Sequence, residues 1–234
     1  MKRILLMIFS NILVVPYWFL KICIYGNNDK YSEEKKYALL KYAVTRANKA
    51  GRVIVQSYGL DNLPQKNGYI MFPNHQGLYD VLAFLESHPN PFTVVVKKEV
   101  ENVIFLKQIL IAFKAQAIDR NDLRQSMKVI NQMTKEVMLG RNYIIFPEGT
   151  RSKNNSLLDF KGGSFKSAMN AKCPIVPVAL IDAYKIFDTN SIKKQIVQIH
   201  YLKPLYYDDY KNLKSTEIAK LVKFNIEEEI KKYI

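Results

Sequence analysis

A chain of 234 residues, nearly half of them hydrophobic, is long enough for one sizeable core and does not require a second one. Its 35 lysines and arginines outnumber 21 aspartates and glutamates, and a net charge of +14 suits an anionic partner: nucleic acid, an acidic membrane surface or a phosphorylated substrate. The two cysteines, Cys23 and Cys173, lie far apart and outside any Cys-x-x-Cys pattern, which excludes a disulfide framework and a structural zinc site and makes a reducing, cytosol-facing location the default.

The chain opens on its most apolar part. The run from Ile4 to Tyr25 covers 22 residues, long enough to cross a bilayer, which takes about 20, but Ser10, Asn11, Pro16 and Lys21 interrupt it. The expectation is a membrane anchor, spanning or lying in the interface, with Tyr17 and Trp18 at headgroup level. Lys2-Arg3 would also suit a secretory signal, but no Ala-x-Ala cleavage site follows. Residues 32–50 read as an amphipathic helix: Ser32 can cap it, Glu33 and Glu34 suit its positive end, and Gly51 can stop it. Tyr37, Leu40, Val44 and Ala47 share one face, and lysines and Arg46 occupy the other.

Short β-type runs then alternate with helical ones. Strands are expected at 52–58, 68–71, 92–96, 143–147, 175–181 and 195–202. Helices are expected from Leu78 to Leu85, over 100–113, over 122–139 with Gly140 as a stop, up to Ala171, and from Ser215 with Ile218, Val222, Ile226 and Ile230 as its stripe. This alternation is that of an α/β domain, a mostly parallel mixed sheet flanked by helices. His88, in a proline-flanked loop without an acidic partner, reads as a loop residue rather than a catalytic one, and His200, alternating into a strand, reads as structural.

Two strand ends stand out. The first delivers Phe72-Pro73-Asn74-His75-Gln76-Gly77-Leu78-Tyr79-Asp80. His75 and Asp80 can meet only if the histidine sits in the loop and the acid in the first turn of the following helix. The carboxylate would then hold one ring nitrogen while the other faces a hydroxyl. Such a pairing is common by chance among 21 acids, so a second element is needed. It comes at Tyr143-Ile144-Ile145-Phe146-Pro147, which nearly repeats Tyr69 to Pro73 and opens into Glu148-Gly149-Thr150-Arg151-Ser152. In an open α/β sheet, ligands sit at the carboxyl ends of the strands, so the two loops point to one shared site.

Together these blocks resemble the glycerolipid acyltransferases, whose best-known members are the 1-acyl-sn-glycerol-3-phosphate acyltransferases. The resemblance rests on Asn74-His75 with Asp80, on Phe146 to Ser152, on Ile118-Asp119-Arg120 between them and on Pro174-Ile175-Val176-Pro177-Val178 after them, in the family's order. It implies residues 1–50 as membrane-associating helices and residues 51–234 as the acyltransferase domain, on the cytoplasmic face of a membrane. The reaction it implies moves a fatty acyl group from acyl-CoA or acyl-ACP to 1-acyl-sn-glycerol 3-phosphate, forming phosphatidate, with no cofactor and no metal. The chain departs from the family in carrying Lys114 where a glycine is usual, six positions before Arg120, and in lacking the usual proline and glycine after Lys98-Glu99.

Acyl transfer from a thioester needs a base for the hydroxyl and a grip on the anionic acceptor. It needs little help for the leaving group, since a thiol has a pKa of about 8.5. His75 is the candidate base and Asp80 its orienter. Arg151 suits bidentate phosphate binding, with Arg120 and Lys97 completing the site by resemblance and Thr150 lying within the same loop. Glu148 is expected to orient the arginine or a substrate hydroxyl, and Gly149 to allow a backbone N–H to face the oxyanion. There is no Gly-x-Ser-x-Gly elbow and no His-Glu-x-x-His, which excludes those hydrolase routes. The alternatives are another lysophospholipid acceptor within the same family, or a basic nucleic-acid-binding protein. Against the latter, the chain lacks a base-reading helix and an aromatic RNA-binding motif.

Overall fold

The computed structural model describes residues 2–102, 104–119 and 121–234. The apolar N-terminal run divides into helices α1 (Lys2–Phe9) and α2 (Val15–Gly26). The break falls where Asn11 turns its side-chain amide back onto the Met7 carbonyl and Pro16 takes a first-turn position that needs no N–H. Among the described residues no helix is long and apolar enough to cross a membrane; the 22-residue apolar run is divided between two helices.

Helix α3 (Glu33–Ala50) begins on the Ser32 hydroxyl, which accepts from the Lys35 amide. Then come β1 (Val53–Tyr58), β2 (Ile70–Pro73), α4 (Asp80–Ser87), β3 (Phe92–Lys97), α5 (Ile104–Phe113), β4 (Gln116–Ile118), α6 (Leu123–Met138) and β5 (Asn142–Ile144). The chain ends with α7 (Lys166–Ala171), β6 (Ile175–Ile181), α8 (Tyr184–Phe187), β7 (Gln195–Tyr201), α9 (Tyr207–Tyr210) and α10 (Ser215–Ile230). Strand β4 was not expected. Three residues without alternation carry no strand period of their own, and their register comes from β3.

The seven strands form one sheet in the order β1-β7-β6-β2-β5-β3-β4. Strands β6, β2, β5, β3 and β4 run parallel; β7 is antiparallel to β6, and β1 follows β7. Successive residues of the central strands point to opposite faces and build two apolar cores. Tyr69, Met71, Val178 and Leu180 join helices α1 to α5 and α8; Ile70, Phe72, Ala179 and Ile181 join α6, α7, α9 and α10. Met7 and Ile22 are buried in the first core beside Tyr37, Leu40 and Val44, so the N-terminal helices share their packing with the sheet. The parallel strands all end at one edge, and there β6, β2, β5, β3 and β4 deliver Asp182, His75, Glu148, Lys97 and Asp119.

Candidate active site

His75 stands just past β2, and Asp80 is the first residue of α4, the loop-to-helix arrangement the spacing requires. His75 Nδ1 donates to Asp80 Oδ2 at 2.7 Å. The same carboxylate accepts from the Gln76 amide at 2.7 Å and from the Gly77 amide at 2.9 and 3.0 Å. Asp80 is fully buried, while 23% of the His75 side chain is exposed, so Nε2 is the nitrogen left for a substrate. Burial pushes the Asp80 carboxyl above its ordinary range, against the opposing pull of the His75 and backbone hydrogen bonds. Phe146 stacks on the imidazole, with centroids 4.2 Å apart.

The loop after β5 is laced to the loop after β2. The His75 amide donates to Glu148 Oε1 at 2.9 Å, the Ser152 amide to the His75 carbonyl at 2.8 Å, and the Lys153 amide to the Gln76 carbonyl at 3.1 Å. Glu148 is 2% exposed, and its second oxygen accepts from the Leu158 amide at 3.2 Å. Burial raises its carboxyl as well, with the His75 and Leu158 hydrogen bonds opposing. Its geometry is thus that of a brace behind the histidine. The expected partnership with Arg151 is absent among the described residues: the acid nearest that guanidinium is Asp188, at 3.9 Å. Gly149 takes the left-handed conformation, φ 72°, which a side chain would strain. Its amide donates to the Phe146 carbonyl at 3.2 Å, within the turn rather than toward an oxyanion.

Thr150 is exposed and Arg151 half-buried on the same loop. Lys97 ends β3, beyond β5, roughly 10 Å from β2 by two strand spacings. It is exposed and pairs with Glu99 at 2.7 Å. Arg120 lies outside the described residues. Lys114 has φ 52°, so the backbone keeps there the left-handed turn that a glycine would favour, and its ammonium reaches Glu33 at 3.0 Å. His88 is a buried hub, not an open loop residue: Tyr69 Oη meets Nε2 at 2.8 Å, Nδ1 meets the Asn90 carbonyl at 2.7 Å, and burial lowers its pKa to about 4. His200 is held by Glu229 at 2.9 Å.

Sequence reasoning missed the supports of this site. Asn74 pairs twice with the Leu180 backbone, and Gln76 spans the Leu180 carbonyl, the Ala183 amide and Asn155. These bonds fix the histidine loop to the end of β6, with sequence separations above 100 for the bonds to residues 180 and 183 and of 79 for that to Asn155. Asp188 has no motif around it at all.

A family model described as acyltransferase matches residues 54–181, more than half of the chain. A 1-acyl-sn-glycerol-3-phosphate acyltransferase of Borreliella burgdorferi is 31% identical over 134 residues, 57% of this chain and 54% of the relative. One of Saccharomyces cerevisiae is 31% identical over 179 residues, covering 72% and 57%. The chain thus spans just over half the length of these curated relatives. Among solved structures, the 1-acyl-sn-glycerophosphate acyltransferase of Thermotoga maritima aligns over 99% of this chain and 97% of its own, with a TM-score of 0.76 at 18% identity, a likeness of fold.

Proposed function

We propose that this chain, which belongs to the acyltransferase family, moves a fatty acyl group from an acyl thioester, acyl-CoA or acyl-ACP, to the free hydroxyl of 1-acyl-sn-glycerol 3-phosphate, forming phosphatidate. The observation that carries the reading is the His75 Nδ1 to Asp80 bond at 2.7 Å, made in a loop that is hydrogen-bonded to the one bearing Arg151.

In this mechanism His75 Nε2 takes the acceptor's hydroxyl proton as its oxygen attacks the thioester carbonyl carbon. The tetrahedral intermediate collapses by breaking the carbon–sulfur bond, and the imidazolium returns the proton to the departing thiolate. Asp80 keeps the hydrogen on Nδ1, so that Nε2 begins as an acceptor, and it stabilises the imidazolium that forms. Arg151 grips the phosphate, with Lys97 and Arg120 as further cations at the same sheet edge. Glu148 holds the His75 backbone in place. No covalent acyl-enzyme is needed.

The lipid substrates suit a protein lying on the cytoplasmic face of a membrane. Leu5, Ile8, Phe9, Ile12, Leu13, Tyr17, Leu20 and Ile24 expose apolar surface along α1 and α2, far more than scattered surface residues would. The two helices lie in the interface, apolar side down. The test is to assay purified wild type and His75→Ala with lysophosphatidate and a long-chain acyl thioester. Turnover is expected only with the wild type; turnover surviving the substitution would remove His75 as the base.

A further inference from the structure

The sheet edge that carries the site also carries a second group of cations. Strand β7 runs antiparallel to β6, with Ile181 opposite Gln198, and β1 begins beside β7, with Val53 opposite Gln195. The starts of β1 and β7 therefore lie where β6 and β2 end. By two and three strand spacings the starts of β7 and β1 are roughly 10 and 14 Å from β2, on the side away from β5. An open recess of about 430 Å3 sits there, walled by Thr45, Lys49, Arg52, Lys194 and Glu86 and floored by Val53 and Ile54. Lys49, Arg52 and Lys194 form no ion pair among the described residues, and the one carboxylate, Glu86, is taken up by the Asn48 amide. Arg52 is held in the left-handed conformation, φ 59°, an uncommon state for a side chain-bearing residue.

Helix α1 holds this recess together. The buried guanidinium of Arg3 donates to the Gly51 carbonyl and, at 2.8 Å, to the Lys193 carbonyl. It thereby ties the turn that carries Arg52 to the segment that carries Lys194. The same short helix exposes Leu5, Ile8 and Phe9.

We propose that the recess binds the phosphate of an anionic phospholipid in the bilayer on which α1 and α2 lie, as a site separate from the acceptor grip at Arg151. The inference rests on the membrane-surface reading given above. Three unpaired cations complement a phosphate, and the apolar helix that clamps them sets the pocket at headgroup depth. A lipid phosphate bound beside β1 would hold the sheet edge that carries the His75 loop against the bilayer.

The experiment compares wild type, Arg52→Gly/Lys194→Gln and Arg52→Lys/Lys194→Arg in flotation with vesicles of phosphatidylcholine alone and of phosphatidylcholine containing phosphatidylglycerol, without acyl donor. Glycine suits the backbone of residue 52, so the first variant keeps the fold, as thermal unfolding checks. Its affinity for the anionic vesicles is expected to fall about 10-fold to 30-fold, as for two juxtamembrane cations. Its binding to neutral vesicles stays as in the wild type, and the charge-conserving variant keeps both. Equal affinity of wild type and first variant for anionic vesicles would overturn the site alone. Wild type that floats with neither vesicle would overturn the membrane reading and this site with it. Titration with inorganic phosphate separates the sources: saturable binding that depends on Arg52 and Lys194, with vesicle affinity unchanged, would assign the recess to a soluble phosphate and overturn the lipid.

Discussion

At the scale of single residues, the site depends on which nitrogen of His75 carries hydrogen. In Asp80→Asn the new amide would donate to Nδ1, so the hydrogen would sit on Nε2, which could then no longer accept a proton. The expected result is a kcat lower by about 10²-fold to 10⁴-fold with little change in the acceptor KM, measured by steady-state kinetics. Arg151→Ala should do the opposite. Its acceptor KM rises about 10-fold or more, and because its pairing with Asp188 is long and one-third exposed, stability changes by no more than about 0.5 kcal/mol. The buried carboxyls also make a pH prediction. Burial raises both Asp80 and Glu148 in the folded state, so each binds its proton more tightly folded than unfolded. Their contribution is full below the ordinary carboxylate range and is lost as pH rises through the raised values. Urea unfolding at steps from pH 4 to 7 should therefore move the stability difference in favour of Asp80→Asn as pH rises.

At the scale of elements, two loops and a short helix hold the chemistry in place. A Cβ on Gly77 would come within 2.7 Å of Asp188 Oδ2 and 3.2 Å of Tyr184 Cα, so a side chain there would make the Asp188 carboxylate and the α8 backbone give way. Gly77→Ala is expected to cost about 1–3 kcal/mol by overpacking and to weaken acceptor binding as well, because Asp188 is the acid nearest Arg151. Denaturant unfolding together with the acceptor KM checks both. The helices were legible where their period and caps agreed, as at Ser32 for α3 and in the Ile218 to Ile230 stripe of α10. Strand β4 and the break between α1 and α2 were not, because one depends on pairing with β3 and the other on a side chain folding back onto its own helix.

At the scale of the whole molecule, the N-terminal helices, proposed above to lie on a membrane, belong to the fold itself. Met7 and Ile22 are buried in the core that Tyr37, Leu40 and Val44 also line. Removing residues 1–31 is therefore expected not to release a well-behaved catalytic domain. It should cost about 3–6 kcal/mol, at about 1.5–3 kcal/mol for each large apolar side chain withdrawn. Thermal unfolding in detergent would show this, and a truncated chain as stable as the full one would contradict it.

The class of the fold, the two polar strand ends and the pairing of His75 with Asp80 were legible along the chain, because each is written locally: a period of two, a proline that closes a strand, a histidine five residues before an aspartate. What those groups touch came from the packing of distant segments. Glu148 turned from a partner of Arg151 into a brace behind His75, Lys114 kept a backbone that glycine would favour, and Asn74 and Gln76 bound a strand more than 100 residues away. The reason is that parallel strands distant in sequence end side by side at one edge, and hydrogen bonds across that edge follow the strand order, which no spacing along the chain records.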